Sequence, residues 1–284
     1  MPDFARSDDP AVQAQLDRLA QLSPGGDRLG LDAITRLLDR LGRPQDRLPP
    51  VFHVAGTNGK GSTCAFLRAA LEASGRTVHV FTSPHLVRFN ERIRIAGKLI
   101  GDVALADLLG EVLDAGDEIE ASFFEVTTVV AFLAFARTPA DAAIIEVGLG
   151  GRLDATNVID RPLVGGIAAL GIDHQQFLGA SLTEIAAEKA GIGKPEVPLV
   201  VLAQPAEAEE AIQRAADERG AVVYLEGRDW AIDPALRSSL LGEHQVRNAN
   251  LAWQMLQRQD ALPVGRASFL SGLTSAQWPG RFHE

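Results

Sequence analysis

The chain lacks the usual features of secreted and membrane proteins. Its 284 residues include a single cysteine, Cys64, so no disulfide can form within the chain, and we expect the side chain to fill a small apolar space. No apolar run is long enough to cross a bilayer, and no charged segment followed by an apolar one opens the sequence. We therefore expect a cytoplasmic protein with no membrane partner.

Positive charge is also scarce. Lysine and arginine together number 27 against 37 aspartate and glutamate residues, which gives a formal net charge of −10. A field of this sign repels the phosphates of nucleic acids, so we expect no nucleic-acid partner. The partners expected are small molecules, and the chain is expected to be a monomer. An anionic substrate would have to be held by local arginines and a metal ion.

Glycine, in contrast, is concentrated after the first predicted strand. Residues 51–63 read VFHVAGTNGKGST, where a β-branched and aromatic run ends at Gly56 and a helical pattern follows Gly59. Strand, glycine-rich turn and helix form the setting of a phosphate-binding loop, in which backbone N–H groups, the helix N-terminus and Lys60 meet the phosphates. An ordinary tight turn needs neither three glycines nor a lysine. The segment predicts binding of a nucleoside triphosphate at Gly56, Thr57, Asn58, Gly59, Lys60, Gly61 and Ser62.

Strands and helices alternate along the rest of the chain. Apolar strands are predicted at 77–81, 142–147, 163–169, 197–202 and 222–225, with a small hairpin at 92–100. Helices are predicted from residue 10, at 31–41, from 60 to 74, from the capping box Ser122-x-x-Glu125 to 135, and at 182–190 and 243–257. Near-continuous apolar strands predict an α/β fold: a mostly parallel, P-loop NTPase-like sheet covered by helices on both faces.

Outside the phosphate loop the sequence by itself offers one candidate metal ligand, Glu146, whereas His174 by itself is an ordinary loop histidine and Lys189 an ordinary helix residue. Glu146 ends a predicted strand, and a carboxylate at the carboxyl edge of a parallel sheet beside a phosphate loop can hold Mg²⁺. His174 follows the strand 163–169 and is predicted at the same edge, although Mg²⁺ prefers oxygen ligands. Lys189 is, from the sequence alone, a lysine near a helix C-terminus that the helix dipole favours.

The residue spacing in the phosphate loop indicates which family of nucleotide-binding proteins the chain resembles. In GTNGKGS only Thr57 and Asn58 separate the first glycine from the Gly-Lys pair, and this compressed form resembles the Mur ligase superfamily, whose members use ATP to join a carboxylate to an amine. Further segments resemble folylpolyglutamate synthase and the bifunctional dihydrofolate synthase, in that family's order and over most of the chain. They are TSPHLVRFNERI (82–93), EVGLGGRLDATNV (146–158), GIDH (171–174), AAEKAGI (186–192), EHQVRNANLA (243–252) and WPGR (278–281).

The resemblance implies an ATP-dependent amide ligase. It would add L-glutamate to 7,8-dihydropteroate, or to the γ-carboxylate of folates, through an acyl phosphate. ATP and Mg²⁺, the latter at two sites, are the implied cofactors. The implied catalytic residues are Lys60, Glu146, His174 and Lys189; the implied metal ligands are Ser83, Glu146, His174 and Lys189, the last if carbamylated; Asn248 and Arg281 would contact ATP.

The resemblance also places the pterin. Phe123 and Phe124 could stack on its ring, and Asp154 could accept from its amino groups, although without the resemblance core packing and the capping box are the better explanations of the 122–125 segment. Residues 82–93 resemble a mobile substrate-covering loop, in which Arg88 and Arg92 could meet a carboxylate. The implied pterin contacts are Asp27, Arg28, Leu29, Gly30, Phe123, Phe124, Glu125, Arg152, Leu153, Asp154 and Ala155.

The segment WPGR bears on the domain organisation. In the family it leads into a smaller Rossmann-like domain, so we expect residues 1–280 to form the ATP- and pterin-binding domain and 281–284 to begin a linker to a C-terminal domain. We expect residues 1–284 alone to be inactive. Two alternatives stay open: another Mur-type amino-acid ligase, which SPHLVRFNERI and the FF-E segment argue against, and a nucleotide-binding module without activity.

Overall fold

The fold is known from a computed structural model, in which residues 6–22 and 29–278 are described. The strands in this part of the chain are β1 (Val51–Ala55), β2 (Val78–Phe81), β3 (Ile93–Ile95), β4 (Lys98–Leu99), β5 (Ala142–Glu146), β6 (Val164–Ile167), β7 (Pro198–Val201) and β8 (Val222–Leu225). The helices are α1 (Pro10–Leu22), α2 (Asp32–Arg40), α3 (Lys60–Ala73), α4 (Asp102–Gly116), α5 (Phe123–Arg137), α6 (Gln175–Leu178), α7 (Leu182–Ala190), α8 (Ala206–Arg219), α9 (His244–Gln257) and α10 (Arg266–Ser275).

The strands form one sheet in the order β4-β3-β2-β5-β1-β6-β7-β8. Its pairs are parallel except at one edge, where β3 is antiparallel to both β2 and β4. The predicted α/β class with a mostly parallel sheet is therefore confirmed, as is the small hairpin. Because the strands are parallel, the carboxyl ends of β1, β2, β5 and β6 meet at one edge, where ligands bind in open α/β sheets.

Helices cover both faces of the sheet, because alternate strand residues point to opposite sides. Phe52 and Val54 of β1 pack with α3, α9 and α10 on one face, hereafter the α3 face. Val51 packs with α1, α2, α4 and α5 on the other, hereafter the α5 face, which α7 and α8 continue around Ala55. His53 also points to the α5 face and is fully buried between these two apolar clusters.

Four helices, α4, α6, α8 and α10, are not among those predicted from the sequence. For α8 the reason is visible in its contacts: its buried positions are mostly alanines, Ala208, Ala211 and Ala216, beside Ile212. Alanine is common on both faces of helices, so it gives a weak periodic signal. Among the described residues no helix is long and apolar enough to cross a membrane.

Candidate nucleotide and metal site

The phosphate loop joins β1 to α3 at the carboxyl edge of the sheet. The N–H groups of Thr57 and Asn58 both donate to the carbonyl oxygen of Ala169, at 2.9 and 3.0 Å, so they fasten the loop to the end of β6. Gly59 precedes α3 with a φ of 88°, which favours glycine. Lys60 begins α3, and the first N–H groups of a helix have no acceptor within it. The amides of Lys60, Gly61 and Ser62 are thus the ones available to an anion.

Asn248 lies directly against this loop. It belongs to the second turn of α9, is 3% exposed and donates to Oε1 of Gln245 at 3.2 Å. A Cβ atom at Gly59 would overlap its side-chain amide, so the two residues are in close contact. In this structure Asn248 packs against the turn before α3, and its contact with ATP stays a prediction.

Ser83 and Glu146 lie together beside the phosphate loop. They follow or end the neighbouring strands β2 and β5, and the backbone N–H of Ser83 donates to Oε2 of Glu146 at 3.3 Å. Glu146 is 3% exposed. The topology of the sheet therefore brings together a hydroxyl and a carboxylate, both oxygen ligands of the kind that Mg²⁺ prefers.

The other two predicted metal ligands have different surroundings. His174 precedes α6 with an exposed side chain, and its described contact is with Asp173, at 3.6 Å. No group of three or more His, Cys, Asp or Glu side chains within residues 6–22 and 29–278 could hold a metal ion. A closed protein cage is therefore not formed there. An open set of Ser83 and Glu146 fits Mg²⁺, which usually keeps waters and substrate phosphates as ligands.

Lys189 is buried. Its position near the end of α7 did not predict this. It is 5% exposed, and its Nζ donates to the carbonyl oxygen of Gly56 at 3.0 Å. Burial, together with the charge of Lys60, lowers the pKa of Lys189 to about 8. A deprotonated fraction of Lys189 is thus present near neutral pH, close to the phosphate loop.

The loop after β5 is held by a buried series of hydrogen bonds that was not predicted from the sequence. Asp154 is 2% exposed and accepts from the N–H groups of Leu149 and Thr156, at 2.8 and 2.9 Å, and from the hydroxyl of Thr156. Nε2 of His53 lies 2.8 Å from the same hydroxyl. Burial lowers the pKa of His53 to about 3, so its ring is neutral, and burial raises the pKa of Asp154 against the effect of its hydrogen bonds.

The sequence signal for this series of hydrogen bonds is His53, the one polar residue in the apolar strand VFHVA. In the structure Asp154 shapes its own loop, with both carboxylate oxygens already bonded. Contact between Asp154 and a pterin stays a prediction.

The predicted pterin residues of α5 lie at the same edge but on the α5 face. The ring of Phe124 covers Gly148, where a Cβ atom would overlap it, and Phe123 meets Phe89 edge to face. Glu125 accepts from the N–H groups of Ser122, at 2.8 Å, and Ile34, at 3.2 Å. The structural interpretation of Ser122 and Glu125 as a capping box is therefore confirmed.

The remaining predicted residues are dispersed. Arg152 forms an exposed ion pair with Glu188 at 2.6 Å, whereas Ala155 is buried and Leu153, Leu29 and Gly30 are half-buried. Asp27, Arg28 and Arg281, and with them the predicted domain boundary, lie outside the described residues.

The two loop arginines also differ from each other. Arg88 pairs with Asp102 at 3.0 Å at the surface. Arg92 is 1% exposed, and its Nε donates to Nδ1 of His85 at 2.9 Å. Arg92 is therefore part of the packed base of the 83–91 loop.

Known proteins resemble this chain in sequence and in structure. The family model of the Mur ligase middle domain matches residues 54–256. The dihydrofolate synthase/folylpolyglutamate synthase of Bacillus subtilis is 38% identical over 90% of this chain, and the chain spans 66% of that protein's length. A structure of E. coli FolC in complex with DHPP and ADP superposes with a TM-score of 0.88, at 34% identity, over 96% of this chain and 67% of that chain.

A third match is the crystal structure of a bifunctional folylpolyglutamate synthase/dihydrofolate synthase with Mn, AMPPNP and L-glutamate bound. Its TM-score is 0.85 at 33% identity, over 96% of this chain and 68% of that one. The similarity extends well beyond the phosphate loop, because it covers nearly all of this chain. The chain therefore belongs to the Mur ligase superfamily, in its group of folylpolyglutamate and dihydrofolate synthases.

Proposed function

We propose that this chain binds ATP and a divalent metal ion for a ligase that joins L-glutamate to dihydropteroate or to folates. The observation that carries the proposal is the meeting of Lys60, Ser83 and Glu146 at one edge of the sheet, where β1, β2 and β5 end. The two solved structures described above hold ADP and DHPP in one case and Mn, AMPPNP and L-glutamate in the other, which supports the same kinds of ligand here.

Each residue at this edge has a separate task in the proposal. The amides of Lys60, Gly61 and Ser62 hold the phosphates, and the ammonium group of Lys60 neutralises charge on the β- and γ-phosphates. Ser83 and Glu146 hold Mg²⁺, which when bound screens the phosphate oxygens from the approaching carboxylate. His174 completes the proposed set only if it turns away from Asp173.

The chemistry proposed is activation of a carboxylate. An oxygen of the acceptor's carboxylate attacks the γ-phosphorus of ATP and ADP leaves, which gives an acyl phosphate. The amine of L-glutamate then attacks the acyl carbon and phosphate leaves, so an amide bond forms. Positioning and charge neutralisation are what the protein contributes, since ATP supplies the leaving group.

Lys189 is proposed to be carbamylated, because its lowered pKa makes the neutral amine available to carbon dioxide. The change would replace a cation by an oxygen ligand for a second metal ion. Incubation with ¹³C-bicarbonate should give a carbamate carbon signal in the wild-type protein and none in Lys189→Arg. A signal that persists in the variant would exclude Lys189 as the modified residue.

Acceptor binding tests the proposed function. In the presence of Mg²⁺ and AMPPNP, equilibrium dialysis should detect binding of 7,8-dihydropteroate and no binding of a UDP-muropeptide. Binding of the muropeptide would indicate another Mur-type ligase. If the protein binds AMPPNP but neither acceptor, the chain is a nucleotide-binding module and the proposal is wrong.

A further inference from the structure

A cavity of about 490 Å³ lies on the α3 face, between α3 and the loop 83–91. Its volume is in the range of small-molecule sites, and much of its wall is apolar. Ser83 and Glu146 are part of the wall, so the cavity is continuous with the candidate metal site. It is separated by the sheet from Phe123 and Phe124, which pack on the α5 face. The apolar lining includes Cys64, Ala65, Val80, Leu86, Leu99 and Trp278.

Two arginines line this cavity. Arg68 comes from α3 and its side chain is 14% exposed, whereas Arg94 comes from β3 and is half-buried. Burial, and then the charge of Arg68, lower the pKa of Arg94. Two like charges in a partly buried site repel each other and lose hydration, so an anion placed between them would be strongly stabilised.

The protein satisfies these guanidinium groups incompletely. Nε of Arg68 is buried without a hydrogen-bond partner among the described residues; the nearest carboxylate, Glu72, is 3.8 Å away. The hydrogen bonds that the two arginines do make are long: Arg68 donates to the carbonyl oxygen of Gln277 at 3.4 Å, and Arg94 to that of Gly97 at 3.2 Å. Each arginine makes one such bond through a terminal nitrogen, so its other terminal N–H groups are available to a ligand.

Acidic residues near the cavity do not supply the missing anion. Glu72 is the acid that faces both arginines, so one carboxylate is shared between two cations. Glu91 accepts from the N–H groups of Leu86, Val87 and Arg88. Glu146 lies at the metal site with the N–H of Ser83. The cavity thus has an apolar wall, a reaction end and a pair of cations.

We propose that Arg68 and Arg94 bind α-carboxylates of a γ-linked glutamate chain on the acceptor. The inference rests on the proposed function, in which glutamate is joined to a carboxylate. Each glutamate joined through its γ-carboxylate leaves an α-carboxylate free, and guanidinium groups bind carboxylates in forked pairs. The chain's terminal γ-carboxylate lies at Ser83 and Glu146, and the preceding α-carboxylates lie along the cavity towards the arginines. The arginine pair therefore selects acceptors that already carry glutamate.

Calorimetric titration with three probes tests this role: pteroate, pteroylmonoglutamate and pteroyltri-γ-glutamate. Wild-type protein should bind the triglutamate most tightly. Arg94→Gln should weaken triglutamate binding about tenfold, the loss expected for one charge-assisted hydrogen bond, and leave pteroate binding nearly unchanged. Arg94→Lys keeps the charge but not the forked guanidinium group, so its affinity for the triglutamate should lie between those of the wild type and Arg94→Gln. Arg36→Gln is the matched control, because Arg36 is exposed on α2 and lies 3.9 Å from Asp32.

Equal losses for all three probes in Arg94→Gln, or no loss for the triglutamate, would overturn the inference and leave the proposed function intact. If the wild-type protein binds none of the probes, the proposed function fails as well. Salt dependence of the wild-type protein provides a test that needs no variant. Its preference for the triglutamate over pteroate should shrink as sodium chloride rises from about 20 to about 300 mM, and an unchanged preference would contradict the proposal.

Discussion

The two loops beside the phosphate loop are held in different ways. The loop after β5 is built on a buried chain of hydrogen bonds through His53, Thr156 and Asp154, each of which is at most 2% exposed. The loop after β2 exposes 58% of Leu86 and 78% of Val87. One edge of the sheet therefore carries a rigid loop that keeps its shape and a neighbouring loop whose tip, at Leu86 and Val87, can move without exposing the core.

The exposed loop depends on one side chain. The carboxylate of Glu91 accepts from the N–H groups of Leu86, Val87 and Arg88, at 2.8, 3.1 and 2.8 Å. Partial burial raises the pKa of Glu91, but the three hydrogen bonds together outweigh it, so the pKa is lowered. Such a loop could open by losing a few surface hydrogen bonds, which agrees with the predicted role as a substrate cover.

The buried chain predicts an acid-dependent loss of stability. The pKa of His53 is about 3 in the folded protein, and about 6.5 is expected when the chain unfolds. Below pH 6.5 the unfolded state binds a proton that the folded state does not, so the free energy of unfolding falls as the pH falls. Between pH 7.5 and pH 5 the wild type should lose about 2 kcal/mol more than His53→Gln, as measured by urea unfolding.

An exposed histidine provides the control for this comparison. His244→Gln, at the start of α9, should retain the full wild-type acid dependence. If wild type and His53→Gln lose the same stability between the two pH values, His53 is not held neutral by burial. The account of the rigid loop would then need another explanation.

Substitution of Glu91 should affect the exposed loop after β2 and leave the stability of the rest of the protein nearly unchanged. Glu91→Gln removes the charge that organises three N–H groups, so amide exchange at residues 86–88 should become several-fold faster. The free energy of unfolding should change by less than about 0.5 kcal/mol, because the loop tip buries little apolar surface. Hydrogen exchange with mass spectrometry and urea unfolding measure the two effects. A large global loss without faster local exchange would contradict the contrast between the loops.

Most of the fold could be predicted from the sequence because its signals are local. Apolar strands such as VFHVA and AAIIE, and the capping box at Ser122, indicate their structures within a few residues. The phosphate loop and Glu146 were predictable for the same reason. The burial of Lys189 and the chain from His53 to Asp154 depend on residues far apart in sequence, which only packing brings together.

Some predicted ligand contacts would involve side-chain atoms that already form hydrogen bonds within the protein. Asn248 and Asp154 resemble the family's ligand contacts, but in this structure Asn248 donates to Gln245 and packs against Gly59, and Asp154 accepts from the N–H of Leu149 in the loop after β5. The sequence shows that an amide or a carboxylate is present at a position. It does not show how many of its hydrogen bonds are made within the protein.

Calorimetry of ATP with Mg²⁺ tests most directly whether ATP binds at the start of α3. Lys60→Ala should weaken binding about thirtyfold, since it leaves phosphate charge without its ammonium partner. Lys98→Ala, at an exposed lysine of β4, should bind as the wild type does. Removal of Mg²⁺ with a chelator should also weaken the binding of ATP to the wild-type protein. Wild-type affinity in Lys60→Ala would contradict the assignment of the phosphate site.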